Sequence, residues 1–179
     1  MTELVLRVPS SDYLSQIAAY KEEFSQSGDH LHGGARLAEM SDLSDWLNHV
    51  TAIAKGEGLE KGRVASSTFL CLRQEDQKMV GICNIRHSLN QPFLINFTGH
   101  IGYSICPSER RKGYAKEQLK LALQEARKLD IARVLVTCDV KNLASEKTIL
   151  ANGGVYENTY TDPEDKTKTK RYWIEVIHD

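Results

Sequence analysis

Chemistry in this sequence concentrates in one run, Ile105-Cys-Pro-Ser-Glu-Arg-Arg-Lys-Gly-Tyr-Ala115, which reads as a strand passing through a basic turn into a helix start. The first turn of a helix leaves N–H groups unpaired and carries positive partial charge, so main chain alone can hold a phosphate there. Gly113 has no side chain to block that approach. Arg110, Arg111 and Lys112 add charge around the same point, which suits a pyrophosphate better than a single carboxylate. A helix start is also the unfavourable end for cations, and an anion lying between them removes the conflict. These residues predict a diphosphate-bearing ligand. Neither G-x-x-x-x-G-K-[ST] nor G-x-G-x-x-G occurs, so ATP hydrolysis and dinucleotide binding lose their main support.

The elements that must position this turn follow from hydrophobic spacing. Glu3 to Val8 reads as a strand stopped by Pro9, and Ser10, Ser11 and Asp12 offer caps for a helix through Phe24 with Leu14, Ile17, Ala18 and Phe24 inward. Ser25 to Arg36 carries three glycines and two histidines without periodicity, a pattern common in substrate-facing covers. Asp42 opens a second helical pattern that runs through Trp46, Leu47, Val50 and Ile53. Thr68–Leu72 and Met79–Ile85 form a hairpin, and His100–Cys106 a third strand ending at Pro107. Lys112 to Leu129 is amphipathic, with Ala115, Leu119, Ala122, Leu123, Ala126 and Leu129 on one face and Gln118 turned away. Arg133–Cys138 reads as a strand buried on both faces, Leu143–Ala151 as a short helix stopped at Gly153-Gly154, and Val155–Tyr160 with Arg171–Ile177 as a closing hairpin. The order predicts an α/β protein (α+β in stricter schemes), a mixed sheet covered by helices, over residues 1–179 as a single domain.

Arg110-x-x-Gly113-x-Ala115 matches the Q/R-x-x-G-x-G/A signature, and with it the sequence resembles the GNAT acetyltransferase superfamily. The context agrees: a strand ending at Ile105, an amphipathic helix, a strand ending near Asp139, then Asn142-x-x-Ser145 and a helix closing at Gly153-Gly154. The segments Arg86-His-Ser-Leu-Asn90 and His100-Ile-Gly-Tyr-Ser-Ile105 resemble an uncharacterised bacterial branch of predicted acetyltransferases. The resemblance implies a mostly antiparallel, twisted sheet of roughly seven strands with about four helices. It implies acetyl-CoA as donor, with Ile105 and Cys106 beside the pantetheine and acetyl carbonyl, and Arg110, Arg111, Lys112, Gly113, Tyr114 and Ala115 around the pyrophosphate. Asn142 and Ser145 match positions facing the pantetheine arm and the thiol. The implied activity is acetyl transfer to a primary amine, on a small molecule or a peptide, by direct attack in a ternary complex; the alternative is a non-catalytic acyl-CoA-binding or sensing module.

Many members place a tyrosine seven residues after the asparagine to protonate the leaving thiolate, and Ile149 stands there instead. Ser145 is then the candidate acid, aided by a thiol pKa near 8.5 that makes the thiolate a tolerable leaving group. For the base, His100, His30, His32, Glu22 and Glu157 are candidates, and His100, at the start of the strand leading to the carbonyl site, is the expectation. A metal is not expected from His30-Leu-His32 alone. Cys106 is read as a packed or cofactor-adjacent thiol rather than a nucleophile, and Trp46 and Trp173 as core or interface residues.

Composition bounds the rest. With 23 basic and 24 acidic residues the net charge is -1, which removes the electrostatic case for nucleic acid or an anionic membrane. The start Met1-Thr-Glu-Leu lacks a leader pattern, and no long apolar run appears, so a cytoplasmic protein is expected. The four cysteines lack C-x-x-C spacing and read as buried reduced thiols. A homodimer is compatible with the sequence.

Overall fold

The computed structural model describes residues 3–176. Its strands are β1 (Leu4–Arg7), β2 (Ser66–Arg73), β3 (Lys78–Arg86), β4 (Ile101–Ile105), β5 (Arg133–Asp139), β6 (Val155–Thr161) and β7 (Lys168–Glu175). The α-helices are α1 (Leu14–Ser27), α2 (Leu43–Ala54), α3 (Tyr114–Lys128) and α4 (Leu143–Ala151). The strands form two antiparallel sheets, ordered β1-β2-β3-β4 and β5-β7-β6, that meet where β4 lies beside β5. Most boundaries fall close to those expected. The last strand begins three residues earlier than Arg171, and Ile177, like Met1 and Thr2, lies outside the described residues.

β3 explains the layering. Its residues from Met79 to Ile85 are all buried, because both faces are covered. Cys83 and Ile85 pack with Leu119, Ala122 and Ala126 of α3, whereas Met79 and Ile82 pack with Ile17, Tyr20 and Trp46 of α1 and α2. Local chemistry sets the helix ends. Asp42 caps α2 by accepting from the Ser44 and Asp45 amides at 2.8 and 3.2 Å. α1 is preceded by a single 3-10 turn, Ser11–Tyr13, capped by Ser10. Its inward face is Ile17, Tyr20 and Phe24, and Ala18, expected inward, is exposed.

Two features escape the hydrophobic pattern. Gln118, expected outward, is fully buried, and its amide donates to the Ser104 carbonyl at 3.2 Å. Leu94–Thr98 forms a π-helical turn, closed by Gly99 N–H on the Leu94 carbonyl at 2.7 Å. Gly99 has φ +65°, and a Cβ there would lie 2.4 Å from the Leu135 carbonyl oxygen, so only glycine lets this turn press on β5.

Candidate active site

The sheets are stitched together at one residue and open beyond it. His100 N–H donates to the Leu135 carbonyl at 2.8 Å, and His100 Nδ1 accepts from the Leu135 N–H at 2.9 Å. Past this joint no ladder links β4 to β5. On its other edge β4 pairs with β3, with Arg86 N–H on the His100 carbonyl and Cys106 N–H on the Val80 carbonyl. Antiparallel alternation therefore commits the Gly102, Ser104 and Cys106 amides to β3 and turns those of Tyr103 and Ile105 into the gap. This differs from expectation for Cys106: its amide is consumed by Val80, its side chain is packed under α1, and it does not line the cavity. Ile105 does line it. His100 does not, and with 6% of its surface exposed its ring is driven neutral, burial first and Arg86 second lowering the pKa to about 4.

The gap belongs to a cavity of about 1300 Å³ that runs from the α3 start to the loop after α1. At the α3 end, Gly113 occupies the cap position with φ +84° and supplies no side-chain cap, so the first amides of α3 stay unpaired beside Tyr114, Ala115 and Lys116, which line the cavity. The three cations expected to surround an anion there divide their work. Arg110 is a strut: Nε donates to the Ile105 carbonyl at 3.1 Å, Nη1 pairs with Asp29 at 2.6 Å, and the guanidinium lies 5.7 Å from the Phe24 ring centre. Lys112 faces away and holds Glu109 at 2.8 Å. Arg111 lines the cavity with no carboxylate partner among the described residues, and Lys116, overlooked in the sequence, joins it.

Glu109 is the buried anchor of this turn. Burial raises its pKa, but contacts to Lys112, Lys78 at 3.1 Å and Arg73 at 2.7 Å outweigh that and hold it at about 2. The sequence offered no sign of it, since Arg73, Lys78 and Glu109 meet only when the hairpin packs on the turn.

After β5, Asn142 and Ser145 at the start of α4 line the cavity, as does Tyr103 of β4. Asn142 Oδ1 accepts from the Ser145 N–H at 3.1 Å and so caps α4. Ser145 Oγ lies 3.0 Å from the Tyr103 hydroxyl. Burial first pushes the Tyr103 phenol up to about 12, so it stays protonated. Ile149 is fully buried in the core.

The loop from Asp29 to Glu39 forms the opposite wall, and His30 and His32 stand in it with ring centres 4.3 Å apart. Desolvation first, then His30, lowers the His32 pKa. The other two base candidates lie elsewhere. Glu22 bonds Gln26 on α1, and Glu157 is held by Arg171 and Trp173 beside a separate cavity. Trp46 is fully buried, its Nε1 donating to the Gly34 carbonyl at 2.9 Å, and Trp173 is partly buried under the Arg133 guanidinium. All four cysteines are free and buried, and desolvation raises the Cys106 thiol, which disfavours a thiolate nucleophile. Among the described residues no three His, Cys, Asp or Glu side chains come together as a metal site, and no helix is long and apolar enough to cross a membrane.

The profile of the acetyltransferase (GNAT) domain matches residues 3–155, so this chain belongs to the GNAT acetyltransferase family and is an acyltransferase by class. A search of the curated proteins finds no match. Among solved structures, the fold is similar to the ribosomal-protein α-N-acetyltransferase RimL in complex with coenzyme A, with TM-score 0.71 and 18% identity over 98% of this chain and 95% of that one. It is also similar to the microcin C7 self-immunity acetyltransferase MccE in complex with acetyl-CoA and AMP, with TM-score 0.67 and 18% identity over 97% and 92%. A dodecameric spermidine N-acetyltransferase from Vibrio cholerae gives TM-score 0.65 and 13% identity over 97% and 94%.

Proposed function

We propose that this chain, acting as a single domain, transfers an acetyl group from acetyl-CoA to a primary amine by direct attack in a ternary complex. The observation that carries the reading is the continuity of the open β4–β5 gap, with the Tyr103 and Ile105 amides facing into it, and the uncapped start of α3 at Gly113. A pantetheine arm completes the unpaired edge of β4 as an added strand would, and the α3 amides with Arg111 and Lys116 take the pyrophosphate. An amide in the gap then donates to the thioester oxygen as negative charge develops there.

The amine nitrogen attacks the thioester carbon, a C–N bond forms and the C–S bond breaks. The amine's surplus proton leaves through His32, whose lowered pKa keeps it a neutral acceptor, with His30 beside it. The thiolate leaves and takes a proton from water relayed through the Ser145 hydroxyl, which regains a proton from solvent in the same relay and is oriented by the Tyr103 hydroxyl. His100 serves as the wedge that starts the gap. Structures similar in fold hold acetyl-CoA or coenzyme A, which agrees with this donor. The buried reduced thiols fit the cytoplasm as its place of work.

Calorimetric titration with acetyl-CoA is the first test. The wild type binds in the micromolar range, whereas Gly113→Glu, which forces a side chain onto φ +84° and sets a negative charge beside the pyrophosphate, loses affinity at least 100-fold while melting as a folded protein. No binding by folded wild type refutes the reading. Binding without turnover on any amine across a broad pH range establishes the sensing module favoured by Ile149 instead.

A further inference from the structure

At the end of the cavity away from α3, the side chain of Arg86 lies largely buried in the wall. Its one hydrogen bond is from Nη1 to the Gly99 carbonyl at 3.2 Å, and no carboxylate pairs with it among the described residues. Burial first, and then the charge of Arg63, depress its pKa to about 10, so it stays a cation at neutral pH in a place that disfavours one. Arg63 lines the same end and likewise has no carboxylate partner among the described residues. The acidic residues that line the cavity are committed elsewhere: Asp29 to Arg110, Glu39 and Glu60 to Arg36, Glu109 to its three cations, and Asp139 to the Lys141 amide.

Neighbouring polar groups face the same space. Ser66 Oγ accepts from Asn84, leaving its own proton free to donate, and Thr98 Oγ1 is buried without a partner among the described residues. A buried guanidinium without a counter-ion is unfavourable, and a ligand oxyanion seated on its planar fork relieves it.

The position relative to the acetyl site fixes the size of that ligand. Arg86 Nη1 lies 4.0 Å from where a Cβ on Gly102 would stand. Tyr103 and Ile105, whose amides face the gap, follow one and three residues along β4, which at about 3.3 Å per residue is roughly 3 to 10 Å. One small molecule spans that distance with an amine at the thioester and an anion at Arg86.

We infer that the acceptor is a carboxylate-bearing amine of amino-acid size, bound through its carboxylate by the Arg86 guanidinium, with Arg63 repelling polycationic amines. The inference rests on the acetyl-transfer reading and names the substrate class of that same site.

Steady-state acetylation of glycine, β-alanine and glutamate, each against its amide and against spermidine, tests it. The carboxylate-bearing amines are expected to exceed their amides at least 10-fold in kcat/KM, with spermidine poorest. Arg86→Gln should raise KM for the amino acids about 100-fold and for the amides less than 3-fold, while the acetyl-CoA Kd stays put. Arg86→Lys should recover part of the loss. A purely structural Arg86 would weaken acids and amides alike. Equal or better use of amides or spermidine by the wild type, or a loss in Arg86→Gln shared by both series, overturns the inference and leaves acetyl transfer standing. Where no amine turns over, titration of the same acids and amides into the protein with and without acetyl-CoA reads the preference directly, and equal or absent binding overturns it. Absence of acetyl-CoA binding, by contrast, refutes the underlying reaction.

Discussion

Glu109 carries more of the turn than its place in the sequence suggests. Three cations converge on a carboxylate whose side chain is 7% exposed, and together they fix the chain just before Arg111 and Gly113. Glu109→Gln keeps the shape but leaves these cations around a neutral amide. It should cost about 2 kcal/mol, less than a fully buried pair because Lys78 and Lys112 are well exposed. The pH dependence follows from its depressed pKa. The unfolded chain takes up a proton near the ordinary 4.5 and the folded one near 2, so the stabilisation is complete above about 4.5 and lost as pH falls through about 2. Denaturant melts of wild type and Glu109→Gln should differ at pH 7 and converge by about pH 2, and a constant difference would rule out the ion cluster as its source.

At the scale of elements, the opening between β4 and β5 depends on how the strands are held at its closed end. His100 accepts the Leu135 N–H in place of a ladder partner, so replacing it by alanine leaves a buried donor unpaired at a cost of about 1–3 kcal/mol. His100→Asn offers an amide oxygen near the position of Nδ1 and should recover most of this. With a folded pKa of about 4 against an ordinary 6.5, the unfolded chain binds the proton first, so stability contributed by the neutral ring falls as pH drops from 6.5 towards 4. Thermal melts from pH 7 to 4 should slope steeply for wild type and flatten over that window in His100→Asn. An unchanged slope would mean that the ring does not titrate in this joint.

For the whole molecule, the decisive contact is between the loop after α1 and β4. Leu31 and Leu37 pin this loop into the core, and Gly33 then lies on β4 so closely that a Cβ would stand 2.4 Å from the Gly102 carbonyl oxygen. That approach places His30 and His32 over the cavity and closes its wall opposite α4. Gly33→Ala, at φ +77°, adds backbone strain to the clash and should lift the loop. The expected result is a loss of 2 kcal/mol or more, with faster amide exchange over Asp29–Arg36 and weaker acceptor binding but little change at the α3 phosphate end. Uniform protection across the loop would refute this placement.

Much of this could be read from the chain because it is local. The Arg110 to Ala115 turn, the helix opening at Asp42, the helix over Leu143–Ala151 and the seven strands depend on neighbours within a few residues, where spacing and glycines act directly. What the sequence could not rank is which cation is left free to face the cavity, because Arg110, Arg111 and Lys112 are alike until Asp29, the Ile105 carbonyl and Glu109 arrive from other parts of the chain. The same holds for Tyr103 beside Ser145, 42 residues apart, and for His100, which becomes a wedge only when Leu135 lies next to it. Sequence alone determined the elements and the glycine-capped start of the helix over Tyr114–Lys128, since backbone propensity and hydrophobic period are short-range. Tertiary structure alone decided which charges are spent within the fold and which, like Arg86, are left without a carboxylate among the described residues, because burial and ion pairing are fixed only when remote segments close together.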